Sequence, residues 1–411
     1  MHVLIVGGGL GGLGLAQSLR KQGISFEIFE RDENADSRFQ GWAIGLHTII
    51  NDLQKAFPSD VGDLKAATDH LQPLDLPAQI GLYFPGMEGR LGVEDTPEAP
   101  IVRAERRRLR DWLATNIPIQ WGKRVQRIVD NDEEVSVYFE DGTSAKGDIL
   151  VGADGIKSVV RTHLLQRPSE ELLKLVPLSA VVGEVTLSGE EFKRQLALGH
   201  SAYIFASPNL GFFNFGGLHY VLPDGVSGRH YWMYMEPDPE VAKPDHWLQT
   251  ASQQEKLDYV VKKVSAMPPK FQEIFKLTPA SGIKKEPHVW RDLELTSLPT
   301  GRVILVGDAA HAMTPFRGEG GYHTLIDVLK LSKVVGQLDA KDIGAIKAAV
   351  AEYNTEMLAR GSEAVRSSRN VQKPQKTSDG KMKLISANQE ARPLPEEEIK
   401  LERVPEVAIT A

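Results

Sequence analysis

The chain has 411 residues, no cysteine, and a formal net charge of -7 from 48 basic and 55 acidic side chains. The missing cysteines exclude disulfides, thiolate catalysis, cysteine-ligated zinc and cysteinyl cofactor attachment. The acidic balance, with no long basic run, argues against nucleic acid as a partner; the length suggests two or three domain-sized units, and 41% hydrophobic residues can bury a large core.

The first 30 residues spell strand, tight turn, helix, strand. His2–Val6 is short and apolar, Leu10–Gln22 carries apolar residues at helical spacing up to Gly23, and Ser25–Glu30 alternates like a strand. The early apolar run meets glycines too soon for a secretory segment. No stretch of about 18 apolar residues follows, so a cytoplasmic protein without stable membrane insertion is expected. Arg103–Asn116 is expected as a helix that Pro118 cannot continue. Strands are expected at Ile119–Trp121, Val125–Val129, Val135–Phe139 and Ser144–Val151, with turns at Asn131-Asp132 and Asp141-Gly142.

The texture then changes. Aromatic strand-like runs at Tyr203–Phe205, Phe212–Phe215 and His230–Met235 lie among helical pieces at Glu190–Leu198 and Glu255–Met267. A buried-type strand, Val303–Val306, precedes helices at His323–Leu338 and Lys341–Ser368. The expected fold class is α/β: a discontinuous Rossmann-like dinucleotide-binding domain, an inserted mixed β-sheet substrate domain and C-terminal helices. The dinucleotide domain takes 1–70, 100–164 and 290–340, and the substrate domain takes 71–99 and 165–289. A C-terminal helix covers 341–370, and 371–411 is a polar tail.

The chemistry starts at Gly7-x-Gly9-x-x-Gly12. A lone pattern of this kind is weak, but here it follows a strand and opens a helix. Gly7 permits the tight turn, Gly9 lets backbone approach a pyrophosphate, and Gly12 lets helix and strand pack. The uncapped helix start offers N–H groups and a positive dipole end to phosphate. Glu30, 18 residues after Gly12, stands where a carboxylate accepts ribose hydroxyls, and Arg31 follows it. A carboxylate there repels a 2′-phosphate, which suits FAD or NAD better than NADP. The bland alternative is a solvated glutamate at a strand end.

Downstream, Gly301–His311 is a strand running into Gly307-Asp308. It resembles the Gly-Asp motif of the class A flavoprotein monooxygenases, the p-hydroxybenzoate hydroxylase-like family. The resemblance covers about residues 1–340. It implies that Asp308 holds ribityl hydroxyls of FAD and that Pro315-Phe316-Arg317-Gly318-Glu319-Gly320-Gly321 lies beside the flavin ring, before a helix whose positive end faces the ring. Gly152-Ala153-Asp154-Gly155 with Arg161 resembles the family's Asp-Gly motif, tied in relatives to FAD pyrophosphate and to NAD(P)H. It also reads as an ordinary turn with a surface arginine. Arg38-x-x-Gly41 resembles the segment along the flavin. Arg106-x-x-Leu109-Arg110 resembles the helix whose first arginine contacts FAD, although Arg106–Arg108 also reads as a solvated face. Two positions depart from the pattern: Glu319 replaces glutamine and Tyr322 replaces asparagine. The texture is most similar to fungal members found in secondary metabolism.

The resemblance implies a cycle in which NAD(P)H reduces FAD and O₂ forms a flavin C4a-hydroperoxide. One oxygen then hydroxylates or epoxidises an aromatic, polyketide- or alkaloid-like molecule. No metal is implied. His311 is read as backbone support. Alternation along Gly211–Leu222 puts Phe213, Phe215, Gly217 and His219 on one face, while His230, Trp232 and Tyr234 share another. Either aromatic face suits a flat apolar substrate, or simply forms core. His219 is the candidate group for orienting or deprotonating a substrate hydroxyl. Alternatives on the same fold are a drug-inactivating oxygenase resembling the tetracycline destructases, a flavin reductase or halogenase, and a non-catalytic FAD-binding protein. The halogenase signature Trp-x-Trp-x-Ile-Pro is missing. A monomer or weak homodimer is expected.

Overall fold

The computed structural model describes residues 1–207, 209–369, 383–384, 389–395 and 398–404. They form two compact units. The first is built from the described residues of Met1–Thr68, Arg106–Lys174 and Arg291–Val371, and the second from those of Asp69–Glu105, Leu175–Trp290 and Gln372–Ala411.

The first unit centres on a five-stranded sheet in the order Val303–Leu305, Ile149–Gly152, His2–Val6, Ser25–Phe29, Ile119–Gln120. Every neighbouring pair is parallel. Val3, Leu4, Ile5, Ile149, Leu150 and Val151 are fully buried, as a sheet covered on both faces requires. The Leu10–Gln22 helix packs on the Gly320–Val335 helix through its glycines. A Cβ on Gly14 would stand 3.2 Å from Leu325 Cδ2. Gly23, in the left-handed region at φ 69°, closes the first helix. The expected strand at Ser144–Val151 is two: Ser144–Gly147 joins the antiparallel sheet with Val135–Phe139 and Val125–Asp130, and Ile149–Gly152 enters the parallel sheet.

The second unit is a seven-stranded sheet in the order Leu178–Ser188, Ser227–Pro237, Phe213–Val221, Ala202–Phe205, Gln79–Tyr83, Arg90–Glu94, Arg392–Leu394. The helices Gly189–Leu198, Gln253–Val264 and Pro269–Leu277 supply Phe192, Leu196, Val260, Val264, Phe271 and Phe275 to a core with Trp232, Tyr234 and Tyr203. Most of the expected polar tail lies outside the described residues, but Arg392–Leu394 pairs with Arg90–Glu94 as an edge strand.

The expected helix at Arg103–Asn116 begins later. Val102–Glu105 is strand and the helix is Arg106–Leu113, so Arg103 and Arg106 belong to different elements. The final helices run Gly320–Val335 and Ile343–Arg369. Among the described residues no helix is long and apolar enough to cross a membrane.

Candidate functional site

The glycine-rich turn of the first unit is built by three different constraints. Gly7 has φ 112°, and a Cβ there would sit 2.3 Å from the Ala153 carbonyl oxygen. A Cβ on Gly12 would sit 1.9 Å from the Gly7 carbonyl oxygen. A Cβ on Gly9 would meet no protein atom within 4 Å. Gly7 and Gly12 are therefore needed by the fold, whereas Gly9 borders open space. Gly9 is also the cap of the Leu10–Gln22 helix, with no side-chain cap bond and no acidic residue in the first turn. The helix start is left free for an anion.

Glu30 closes one side of the turn. Its Oε2 accepts from the Gly8 N–H at 2.7 Å and its Oε1 from the Asp32 N–H at 3.0 Å, so the carboxylate is held firmly. Arg110 closes another side: its Nε donates to the Gly8 carbonyl at 3.1 Å and its Nη1 to the Ala35 carbonyl at 3.2 Å. Arg31 is exposed and makes no ion pair among the described residues. Arg38, half exposed, donates to Asp32 at 2.7 Å. Gly41 has φ 100°, and a Cβ there would press on Arg106 Cδ at 3.0 Å, so the glycine makes room for that side chain.

Arg106 and Asp308 are two further unspent charges of this unit. Neither side chain makes a hydrogen bond or ion pair among the described residues, although both retain solvent contact. Each is nonetheless walled by protein. Burial lowers the Arg106 pKa while Asp308 pulls it up and Arg38 pushes it down. Burial raises that of Asp308 while Arg106, His311 and Arg161 hold it down. A cation and a carboxylate that both meet solvent thus stand close enough to shift each other.

The turn carrying Asp308 is fixed from beneath. Gly307 has φ 61°, and its N–H donates to Asp327 Oδ2 at 2.8 Å. The same oxygen bonds His311 Nε2 at 2.7 Å, and Asp327 Oδ1 accepts from Arg360 at 2.7 Å. Asp327 is wholly buried. Burial pushes its pKa up, but His311 and Arg360 outweigh that and hold it below the usual carboxylate range. Asp327 drives His311 the other way, upward, against its own burial. His311 ends one helix and Asp327 sits in the next, so no periodicity in the sequence signalled this pair.

Asp154 and Arg161 are engaged inside the protein. Asp154 accepts from the Ser158 hydroxyl at 2.5 Å and from the Val159 and Val160 N–H groups at 2.7 and 3.2 Å, capping the helix Val159–Leu165. Arg161 is fully buried. It donates to the Ala309 and Ile156 carbonyls at 2.9 and 2.6 Å and to Ser169 Oγ at 2.6 Å. The guanidinium ties the Asp-Gly loop to the turn after Asp308 and is not the surface arginine of the alternative reading.

In the loop before the Gly320–Val335 helix, Pro315 starts a short 3-10 turn that Gly318 ends at φ 65°. Arg317 and Glu319 form a buried two-bond pair at 2.8 and 2.9 Å. The glutamate at the departing position thus has a partner two residues away. A Cβ on Gly320 would meet only Met313 Cγ, at 3.7 Å, whereas one on Gly321 would strike Ile44 at 2.9 Å. Tyr322 stacks on His47, with centroids 4.0 Å apart, and its hydroxyl bonds Thr48 Oγ1 at 2.8 Å.

On the second unit, strand register assigns the aromatic side chains to faces. Phe213, Phe215 and Gly217 pair with Met235, Met233 and Tyr231 on one face. Trp232 and Tyr234 point into the helix-covered core, so they belong to packing. His219 Nε2 lies 3.0 Å from Glu105 Oε1, and both are buried. Glu105 was missed because its segment was expected to be helical.

A family profile described as FAD binding domain matches residues 100–368, and one described as NAD(P)-binding Rossmann-like domain matches residues 5–37. The FAD-dependent monooxygenase thnD of Trichoderma harzianum is 61% identical over 373 residues, which span 90% of this chain and 92% of that protein. The chain belongs to the FAD-dependent monooxygenases. The FAD-dependent monooxygenase cctM of Talaromyces islandicus is 29% identical over 89% of this monooxygenase and 90% of its own length. The crystal structure of Klebsiella pneumoniae HpxO complexed with FAD and uric acid shares the fold at TM-score 0.68 and 21% identity, over 90% of this chain and 88% of that one.

The first unit of this monooxygenase fits FAD by its own geometry. The open side of Gly9, the uncapped helix start and the unspent Arg106 and Asp308 are what a pyrophosphate and a polyol chain require.

Proposed function

We propose that this monooxygenase couples NAD(P)H oxidation and O₂ reduction to insertion of one oxygen atom into an aromatic or polycyclic small molecule. The balance is substrate + O₂ + NAD(P)H + H⁺ giving oxygenated substrate + NAD(P)⁺ + H₂O. Bound FAD supplies the electron transfer and oxygen activation.

The chain's residues bind and orient. The N–H groups after Gly9 take the pyrophosphate, and Glu30 offers its remaining lone pairs to ribose hydroxyls. Asp308 accepts from ribityl hydroxyls, and Arg106, with Arg38 nearby, supplies positive charge. Pro315, Gly318, Gly320 and Gly321 shape the loop beside the ring. With FAD bound, the positive end of the Gly320–Val335 helix would stabilise negative charge on a ring beside that loop. Asp154 and Arg161 hold the loop backbone. On the second unit, Glu105 orients His219 to take or hold the proton of a substrate hydroxyl.

One observation carries this reading: Asp308 and Arg106 both meet solvent, stand close enough to shift each other, and make no hydrogen bond or ion pair among the described residues. The test is the purified protein's visible spectrum, followed by NADPH and NADH oxidation with O₂ uptake across phenols, polyketides and indole alkaloids. A bound-flavin spectrum and a product heavier by one oxygen are expected, with Asp308→Ala losing the flavin. Full flavin retention in Asp308→Ala would overturn the site assignment, and flavin without oxygen transfer to any compound would overturn the reaction.

A further inference from the structure

Arg103 is a buried cation without a counterion. It retains only 8% of its surface and forms no ion pair among the described residues. Its Nη2 donates to the Tyr231 hydroxyl, a neutral partner, and its Nε is buried with no partner. Its guanidinium carbon lies 5.4 Å from the Phe215 ring centroid and 5.9 Å from that of Tyr231, and those two rings are 5.4 Å apart. Buried guanidinium groups are ordinarily matched by carboxylates, because desolvating an unmatched charge costs several kcal/mol. Two ring faces and one hydroxyl offset only part of that cost.

No carboxylate among the described residues pairs with it. Glu105 lies two residues on along the same strand, on the same face, but its carboxylate is bound to His219. Phe213 and Phe215 on this face remain half-buried, unlike Trp232 and Tyr234 on the helix side. The face thus presents flat apolar rings, one unmatched cation with free donor capacity, and a histidine–carboxylate pair.

We propose that Arg103, with Tyr231, is the specificity-determining anchor for an oxyanion carried on a flat aromatic substrate. This deepens the monooxygenase reading above and rests on it for the identity of the ligand as substrate. Phe215 stacks on the substrate ring, and Arg103 donates to the anionic oxygen through nitrogens that Tyr231 leaves unused. Both ring carboxylates and ionised phenols or enols present that oxygen.

The test uses the FAD-loaded full-length protein and three probes of one shape: 2-naphthoate, 2-naphthamide and 2-naphthol. Binding is followed by quenching of intrinsic fluorescence. Wild-type protein is expected to bind 2-naphthoate, or 2-naphthol above its ionisation, at least tenfold more tightly than 2-naphthamide. A preference for the carboxylate alone identifies a carboxylate anchor. Tightening of 2-naphthol as pH passes its ionisation identifies a phenolate anchor. Arg103→Gln is expected to remove the preference, and Arg103→Lys to restore part of it. Equal wild-type affinity for all three probes overturns the inference without any variant. An anion preference that survives Arg103→Gln in flavin-loaded protein also overturns it. Failure of FAD uptake or of oxygen transfer would strike the monooxygenase reading instead and leave the anion preference measurable on its own.

Discussion

Gly9 and Gly12 lie three residues apart in one turn, yet an added methyl group meets different surroundings at each. At Gly12 the methyl would overlap the Gly7 carbonyl oxygen, which is backbone and cannot step aside. Gly12→Ala should therefore destabilise even the FAD-free protein, by about 1–3 kcal/mol as overpacked sites do. At Gly9 the backbone is extended, with φ -88°, and the methyl enters open space. Gly9→Ala should leave FAD-free stability within about 0.5 kcal/mol of wild type while weakening FAD at least tenfold. Denaturant melts of FAD-free protein and fluorescence titration with FAD separate the two effects. Unchanged FAD affinity in Gly9→Ala would remove the pyrophosphate from this turn. The sequence pattern named both glycines but could not rank them, since the ranking depends on which side of the turn is packed. Arg161 shows the same limit: its spacing from Asp154 was visible, but its burial and its bonds to Ala309 and Ser169 depend on segments far away in the chain.

Elements were legible where periodicity was clean and hidden where tertiary packing overrode it. The Leu10–Gln22 helix and the His2–Val6 strand appear with the bounds expected. The eleven-residue strand Leu178–Ser188 was not foreseen, because Gly183 interrupts its middle. The glycine is there for packing: a Cβ would lie 2.3 Å from the Trp232 indole on the adjacent strand. Val102–Glu105 was hidden by its own composition, since Arg, Ala and Glu favour helix and only long-range pairing makes the segment a strand. The last helix pair carries the next prediction. Asp327 on one helix bonds Arg360 on the other and, beneath the Asp308 turn, His311 and the Gly307 N–H. Asp327→Asn leaves the buried His311 and the half-buried Arg360 facing a neutral amide and should cost on the order of 3–5 kcal/mol. FAD should weaken too, because Gly307 places Asp308. The pH dependence has a definite sign. His311 is raised, so its share of the stability is full below about pH 6.5 and is lost as pH rises through its elevated value. Asp327 is lowered, so its share is present above about pH 3.9 and fails as pH falls through the depressed value. Melting temperatures from neutral to alkaline pH should show a decline in wild type that Asp327→Asn lacks. An identical decline in both would mean that His311 is neutral in the folded protein.

For the molecule as a whole, acid stability is set in both units by histidines that the fold keeps uncharged. His47 in the first unit and His230 in the second are each 2% exposed, and burial lowers each pKa from 6.5 to about 4. The unfolded chain takes up these protons as pH falls below about 6.5, while the folded chain resists until about pH 4. Stability should therefore fall across that interval, by up to roughly 3 kcal/mol for each histidine. Acid also carries the net charge from -7 toward zero, which promotes association, so the melts belong in dilute protein where association does not mask unfolding. His230→Gln removes one titrating group from the second unit and His47→Gln one from the first. Each variant should lose less melting temperature than wild type between pH 7 and pH 5, and the double variant less still. If all four proteins lost the same amount, the two imidazoles would have to accept their protons inside the fold. The desolvation that surrounds each of them makes that the costlier state.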